Sequence, residues 1–168
     1  MKTPLNYLAL LGIPLLLTFQ QATADSEVGG DVDIEVETAN VISAAIGDNN
    51  TSEVRIGSIK DSEIGGDATI NVKTDNVISA AIGSENTSEV NIGSVVGSQI
   101  GGDATIEVET ANVISAAIGD NNTSEVNIGS VKNSEIGGDA TINVKTDNVI
   151  SAAIGSDNTS RVSIGSVE

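Results

Sequence analysis

The amino-acid sequence predicts an all-β fold of the repeat β-solenoid, or β-helix, class with cross-β stacking. The first observation is a 36-residue unit that recurs four times, at 25–60, 61–96, 97–132 and 133–168. A fixed period of this size is typical of solenoids, in which each unit buries its apolar face against its neighbours. The second observation is the composition of residues 25–168, which lack Leu, Pro, Met, Cys, His and every aromatic residue. Val, Ile, Ala, Gly, Ser, Thr, Asn and acidic residues dominate, as expected for strands and turns.

The third observation is that the first and last units are both full repeats. Solenoids usually end in atypical polar caps, because an uncapped end leaves unpaired strand N–H and C=O groups that can template another chain. We therefore expect a solenoid of four repeats without caps, built to stack end to end.

Residues 1–24 have the pattern of a secretory signal peptide. Lys2 supplies the positive start, an apolar stretch follows from Leu8 to Phe19, and Ala22-Thr23-Ala24 is a small-x-small cleavage site. The apolar stretch is too short to span a bilayer comfortably, which argues against a membrane anchor. We expect removal of 1–24, no membrane span afterwards, and a secreted, extracellular or cell-surface location in a bacterium.

About three short strands are expected in each repeat. In the second unit, 67–74 alternates as a half-buried strand does, 76–82 is apolar or small on both faces, and 88–92 alternates again. The middle piece is interpreted as a strand buried on both sides, and a short buried helix is the alternative. The expected core residues, with their counterparts in the other repeats, are Ile70, Val72, Ile78, Ile82, Val90 and Ile92.

One turn of the coil is either 36 residues long or 18. With 36 residues per rung, one outward column alternates in sign, as Glu37, Lys73, Glu109 and Lys145. With 18 residues per coil, Arg55 would lie directly before Lys73, and two cations would be stacked. Because opposite charges on neighbouring strands attract, this column favours the 36-residue rung.

Two asparagine columns also recur every 36 residues. Stacked amides can hydrogen-bond along the axis, as in other cross-β structures, although Asn is also a good turn residue. The expected assembly columns are Asn40, Asn76, Asn112 and Asn148, and Asn50, Asn86, Asn122 and Asn158.

The net charge restricts the partners. The chain has 24 acidic residues and seven basic ones, of which Lys2 is in the leader, so residues 25–168 carry −18. Nucleic acid and anionic membranes are therefore not expected partners. An acidic chain without aromatic residues can also be disordered. The alternative expectation is therefore an isolated monomer that is disordered and becomes ordered on assembly.

Metal sites and catalysis receive little support. Acidic residues follow Gly-Gly in each repeat and make candidate weak calcium positions, for which capping of turn amides is the alternative. These residues are Asp31, Asp67, Asp103 and Asp139. Four near-identical copies of the acidic residues argue against one unique active site, so no enzyme activity and no cofactor other than non-specific calcium are expected.

The segment Ala-Ala-Ile-Gly-Asp-Asn-Asn at 44–50, repeated at 116–122, resembles the repeats of secreted bacterial amyloid fibrillins of the Fap type. The general plan is similar to curlins as well, although this chain has Gln99 as the one Gln after the leader. The resemblance implies a biofilm-matrix fibre assembled outside the cell.

These observations together predict a secreted structural subunit that polymerises axially with itself, with divalent cations as candidate partners. The alternative is a monomeric or trimeric adhesin module that binds a surface ligand, because the Ala-Ile-Gly motif is also similar to the heads of trimeric adhesins. A lesser alternative is an acidic repeat protein that binds calcium.

Overall fold

A computed structural model describes residues 26–168, and this part of the chain is an all-β solenoid of four rungs. The predicted signal peptide at 1–24 lies outside the described residues. Rung 1 ends at residue 60, and rungs 2, 3 and 4 are 61–96, 97–132 and 133–168. In chain order the strands are β1 (Ser26–Val28), β2 (Val32–Ile46), β3 (Thr51–Ile56), β4 (Ile59–Lys60), β5 (Ser62–Ile64), β6 (Ala68–Ser84), β7 (Thr87–Ile92), β8 (Val95–Val96), β9 (Gln99–Ile100), β10 (Ala104–Asp120), β11 (Thr123–Ile128), β12 (Val131–Lys132), β13 (Glu135–Ile136), β14 (Ala140–Ile154) and β15 (Thr159–Ile164).

Four parallel sheets run along the solenoid axis, each built from equivalent strands of successive rungs. The long sheet has the order β14-β10-β6-β2, and the facing sheet has the order β15-β11-β7-β3. Two narrow sheets, β1-β5-β9-β13 and β12-β8-β4, close the rung. Ile106, for example, pairs with Ile70 below it and with Ile142 above it. The register is 36 residues at every pairing, so the 36-residue rung is confirmed and the 18-residue coil is excluded.

The first two strand-like pieces of each repeat form one continuous strand that changes phase in its middle. In β6, Ala68, Ile70, Val72 and Thr74 face inward, after which Val77 is the next buried residue. The intervening Asp75 is exposed and Asn76 is half-buried. Asp75 is also skipped in the pairing between β6 and β10, which resumes at Asn76. Two successive residues outside the core, Asp75-Asn76 in rung 2 and Ala111-Asn112 in rung 3, therefore exchange the two faces of the strand.

This phase change corrects two expected core residues and the expectation that 76–82 is buried on both sides. Val77, Ser79 and Ala81 are fully buried, whereas Ile78 is half-buried on the outer face and Ile82 is 40% exposed. The outer face of the second half of the long sheet thus carries apolar side chains that no other part of residues 26–168 covers.

The core lies between the long sheet and the other three sheets. The expected core residues Ile70, Val72, Val90 and Ile92 are at most 3% exposed, so they are confirmed. The chain leaves the facing sheet at Gly93, whose φ is +55° and where an added Cβ would lie 2.5 Å from a methyl group of Val108. Glycine is required there by conformation and by space, and its counterparts Gly57, Gly129 and Gly165 repeat the turn.

Candidate functional site

The Asn40 column forms a side-chain ladder along the outer surface of the long sheet. The Nδ2 of Asn76 donates to Oδ1 of Asn40 at 2.7 Å, Asn112 donates to Asn76 at 2.8 Å, and Asn148 donates to Asn112 at 2.9 Å. The expected amide hydrogen bonds between rungs are therefore present. At the open end of the ladder, Asn148 is the residue in line to accept from a further rung.

The Asn50 column binds to backbone rather than to other asparagine amides, which corrects the expected amide–amide ladder. The backbone N–H of Asn86 donates to Oδ1 of Asn122 at 2.6 Å, and Nδ2 of Asn122 donates to the carbonyl of Gly83 at 3.0 Å. The column lies at a turn where backbone groups are not used by strand pairing, so the side-chain amides pair with these groups instead. In rung 1, Nδ2 of Asn50 bonds to the carbonyl of Ile46 in its own rung at 2.9 Å.

The aspartate column also accepts hydrogen bonds from backbone. Oδ1 of Asp31 accepts from the N–H of Asp67 at 3.0 Å, and the bonds from Asp103 to Asp67 and from Asp139 to Asp103 are both 2.8 Å. These hydrogen bonds offset the stacking of like charges. Within residues 26–168, no group of three or more Asp, Glu, His or Cys side chains is placed so that it could hold a metal ion. Weak calcium binding at the aspartates stays a prediction.

The alternating charge column is in register in the structure. Glu37 pairs with Lys73 on the neighbouring strand, and Lys73 pairs in turn with Glu109. Nζ of Lys145 lies 2.6 Å from Oε1 of Glu109. The hydrogen bond from Lys145 and the positive charge of Lys145 hold the pKa of Glu109 below its ordinary value. The same hydrogen bond and the negative charge of Glu109 raise the pKa of Lys145. Both side chains are largely exposed, so this column governs register more than stability.

A second ion pair lies on the outer face of the facing sheet, where it is partly buried. Lys132 and Glu125 form a close ion pair. Burial raises the pKa of Glu125, but hydrogen bonds from Lys132 and Asn127 and the positive charge of Arg161 outweigh burial. The pKa of Glu125 therefore lies below its ordinary value, and Glu125 is ionised at neutral pH.

A continuous column of serine hydroxyls runs through the core, and the sequence analysis missed it. The hydroxyls alternate between the long sheet and the facing sheet and are joined by seven hydrogen bonds of 2.8–2.9 Å. In order along the axis they are Ser43, Ser52, Ser79, Ser88, Ser115, Ser124, Ser151 and Ser160. The signal was present, since serine occupies both positions in all four repeats, but the partners are separated by nine and 27 residues.

The serine column also shows that the two sheets are offset along the axis. The hydroxyl of Ser52 lies 2.9 Å from both Ser43 of rung 1 and Ser79 of rung 2. A facing-sheet strand therefore sits at a height between two strands of the long sheet. Within residues 26–168, the long sheet protrudes at the rung 1 end and the facing sheet protrudes at the rung 4 end, so each end is stepped.

The two ends expose residues that the interior rungs bury. Val126 and Ile128 are fully buried in rung 3, whereas their counterparts Val162 and Ile164 in rung 4 are 47% and 41% exposed. In the described residues, β2 and β14 each have a neighbouring strand on one side alone. The free edge of β14 is 15 residues long and carries no proline or bulge at its centre beyond the shared phase change. Long unprotected edges of this kind pair readily with another strand.

Comparison with protein-family models, with curated proteins and with solved structures finds no match for this chain. In residues 26–168 there is no helix of the length and hydropathy that a membrane span requires. The end faces and the columns that reach them are the features of residues 26–168 that bear on function.

Proposed function

We propose that this chain is a secreted structural subunit that polymerises end to end into an extracellular fibre, as biofilm matrix or as a surface appendage. The observation that supports this proposal is the pair of stepped end faces, which nothing else in residues 26–168 covers and on which rungs 1 and 4 expose the same groups that rungs 2 and 3 pair and bury. The resemblance to fibrillin repeats supports the extracellular setting.

Strand pairing would continue across the junction in the 36-residue register. The β14 edge of one copy would take β2 of the next copy, so that Ile142 would neighbour Ile34 just as it neighbours Ile106 within the chain. Because one end protrudes on the long sheet and the other on the facing sheet, the steps fit head to tail. This fit fixes the polarity of the fibre and makes the contact heterologous, which is the condition for an open filament.

The turn asparagines of the Asn50 column would continue their hydrogen bonds to backbone across the same junction. The backbone N–H of Asn158 would donate to Oδ1 of Asn50 in the next copy, as Asn122 donates to Asn158 within the chain at 2.6 Å. Nδ2 of Asn50 would then exchange its bond with Ile46 for one with the carbonyl of Gly155 below it. The interior columns make this bond, for example from Asn158 to Gly119 at 2.8 Å.

Opposite charges at the two ends would align the junction in the 36-residue register. Three opposite pairs would meet there in register: Lys145 with Glu37, Arg161 with Glu53, and Glu168 with Lys60. Within the chain, Glu53 faces Glu89, a like charge, so the cation Arg161 gives the end a complementarity that the first interior contact lacks. Opposite pairs of this kind direct register and orientation.

The overall charge still opposes assembly. Four rungs at about 4.8 Å each are about 19 Å tall, and 18 net negative charges over that height exceed the density of duplex DNA, about one per 1.7 Å. Salt, divalent cations and mild acid each reduce axial self-repulsion, so each is expected to speed fibre growth.

The test is fibre growth by the exported chain, followed by light scattering and electron microscopy. Val162→Lys places an ammonium group in the core of the junction and is expected to stop growth, because an unpaired charge there would lose its hydration. Asn143→Lys is the matched control: it adds the same charge at an exposed position of the same rung and is expected to grow at least as fast as wild type.

Fibres of the wild-type protein should also diffract at about 4.8 Å along their axis. A discrete small species that persists at rising concentration in size-exclusion chromatography would contradict the proposal and favour the adhesin alternative. Growth that is indifferent to salt and calcium would contradict the charge argument alone.

A further inference from the structure

The outer face of the second half of the long sheet is an apolar surface without a covering layer among the described residues. We call it the outer isoleucine face. It consists of two isoleucine columns separated by an alanine column, in the order Ile42, Ile78, Ile114 and Ile150; Ala44, Ala80, Ala116 and Ala152; and Ile46, Ile82, Ile118 and Ile154. Ile82 and Ile118 remain 40% and 39% exposed in the interior rungs, where axial stacking already covers them from above and below.

No charged residue lies in these three columns, although residues 25–168 carry a net charge of −18. The Asn40 ladder borders the face on one side, and the polar turn after Ile82 borders it on the other. An exposed apolar patch with a polar rim is typical of an interaction surface. Apolar residues on both faces are also typical of a strand that is buried on both sides. Among the described residues, the inner face of this strand is covered and the outer face is not.

We propose that the outer isoleucine face binds the same face of a second copy of this chain, so that two filaments pair side by side. The inference rests on the proposed end-to-end polymerisation and adds a lateral contact to it. The occupant is a second copy because the face is self-complementary in shape and, being uncharged, is the part of this acidic surface where two copies can approach without repulsion.

The shape that receives the second copy is an axial groove between the Asn40 ladder and the first isoleucine column. It has a volume of about 200 Å³ and is lined by Asn40, Ile42, Asn76, Ile78, Asn112 and Ile114. With the two sheets related by a twofold axis parallel to the filament, the Ile82 column of one copy enters the groove of the other. The Ile78 column then lies beside the partner's alanine column, between it and the partner's Ile82 column, and the two contacts are reciprocal. This arrangement is the dry interdigitation of a steric zipper.

The area of the face explains why pairing follows polymerisation. The face is about 20 Å wide and about 19 Å tall, so two single subunits would bury about 800 Å² in total, below the roughly 1,200 Å² of a stable interface. Two stacked subunits on each side double this area to about 1,600 Å². Each further subunit adds buried area without a further cost of bringing the two filaments together, so filaments pair where isolated subunits do not.

The experiment compares the mass per unit length of fibres grown from the exported chain. The test variant is Ile82→Thr with Ile118→Thr, which keeps β-branched side chains and changes exposed positions. The matched control is Asn71→Thr with Asn143→Thr, on the other half of the same outer face. We expect paired filaments for wild type and control, and about half their mass per unit length for the test variant.

Wild-type fibres one filament wide would overturn the lateral inference and leave the polymerisation intact. Fibres of the test variant that keep the full mass per unit length would also overturn it. A wild-type protein that forms no fibre at all under any salt condition would remove the proposed function and the lateral contact together.

Discussion

Substitution in the buried serine column tests how much its hydrogen bonds contribute to the free energy of unfolding. Ser88 is fully buried, and its hydroxyl lies 2.8 Å from that of Ser79 and 2.9 Å from that of Ser115. Contact between carbon atoms needs about 3.5–4.0 Å, so hydroxyls allow the two sheets to approach more closely at this point than methyl groups would.

Ser88→Ala removes two hydrogen bonds and little volume. Ser79 keeps its bond with Ser52 at 2.9 Å, and Ser115 keeps its bond with Ser124 at 2.8 Å, so no neighbouring hydroxyl is left alone. At about 0.5–1.5 kcal/mol for each lost bond, the free energy of unfolding should fall by about 2 kcal/mol. Ser88→Val should cost more, because its two γ carbons do not fit the space of one oxygen.

The measurement is urea unfolding followed by circular dichroism, at low salt and low protein concentration. Ser160→Ala is the matched control, since Ser160 is exposed in rung 4 and has one such bond, to Ser151 at 2.8 Å. We expect a loss below about 1 kcal/mol for the control in the monomer. In the proposed fibre, Ser160 would become an interior position, so the two variants should there lose similar amounts of stability. A Ser88→Ala protein as stable as the Ser160→Ala protein would refute a cohesive role for the column.

Two further single substitutions are expected to change the stability of the fold. The hydroxyl of Thr110 is buried without a hydrogen-bond partner, so Thr110→Val should raise the free energy of unfolding by about 1 kcal/mol in the same urea assay, and an unchanged or lowered value would count against it. Because the pKa of Glu125 is lowered in the folded state, its ion pair with Lys132 stabilises the fold above the ordinary pKa of a glutamate and is lost as the pH falls through the lower folded value. Thermal melts from pH 7 to pH 3 at constant ionic strength should therefore show a smaller acid-induced drop in Tm for Glu125→Gln than for wild type, and equal drops would contradict this assignment.

Much of the fold could be predicted because the repeat determines both which residues stack and which side chains face inward. A strict 36-residue period fixes which residues are stacked, and the alternation at Ile70 and Val72 fixes which side chains face inward. The charge column from Glu37 to Lys145 then distinguishes a 36-residue rung from an 18-residue coil, and the structure has the longer rung. Each of these signals is local or exactly periodic, so a single sequence is enough to detect it.

The second half of the long strand could not be predicted in the same way. From Val77 to Ile82 the residues are apolar or small at every position, so alternation cannot assign the inner face. The phase changes at two successive residues outside the core, Asp75-Asn76 in rung 2 and Ala111-Asn112 in rung 3, and the asparagine is the polar residue that all four repeats share there. The serine column was missed for a different reason, since hydrogen bonds across nine and 27 residues depend on the rung being closed.

The charge column is the element of the repeat that depends on the number of rungs. The asparagine ladders and the serine column would continue across a junction for any number of identical repeats, because every repeat contributes the same residue to them. The charge column alternates, so in the proposed fibre it would continue without a like-charge contact for an even number of rungs, and Lys145 of rung 4 would meet Glu37 of the next copy. In a subunit of three rungs, Glu109 would meet Glu37, and two such carboxylates in register would repel each other. In the proposed fibre, the two-rung alternation would therefore give this column the same opposite-charge contact at the junction between subunits as within one subunit, so the column would not weaken the junction relative to the rungs.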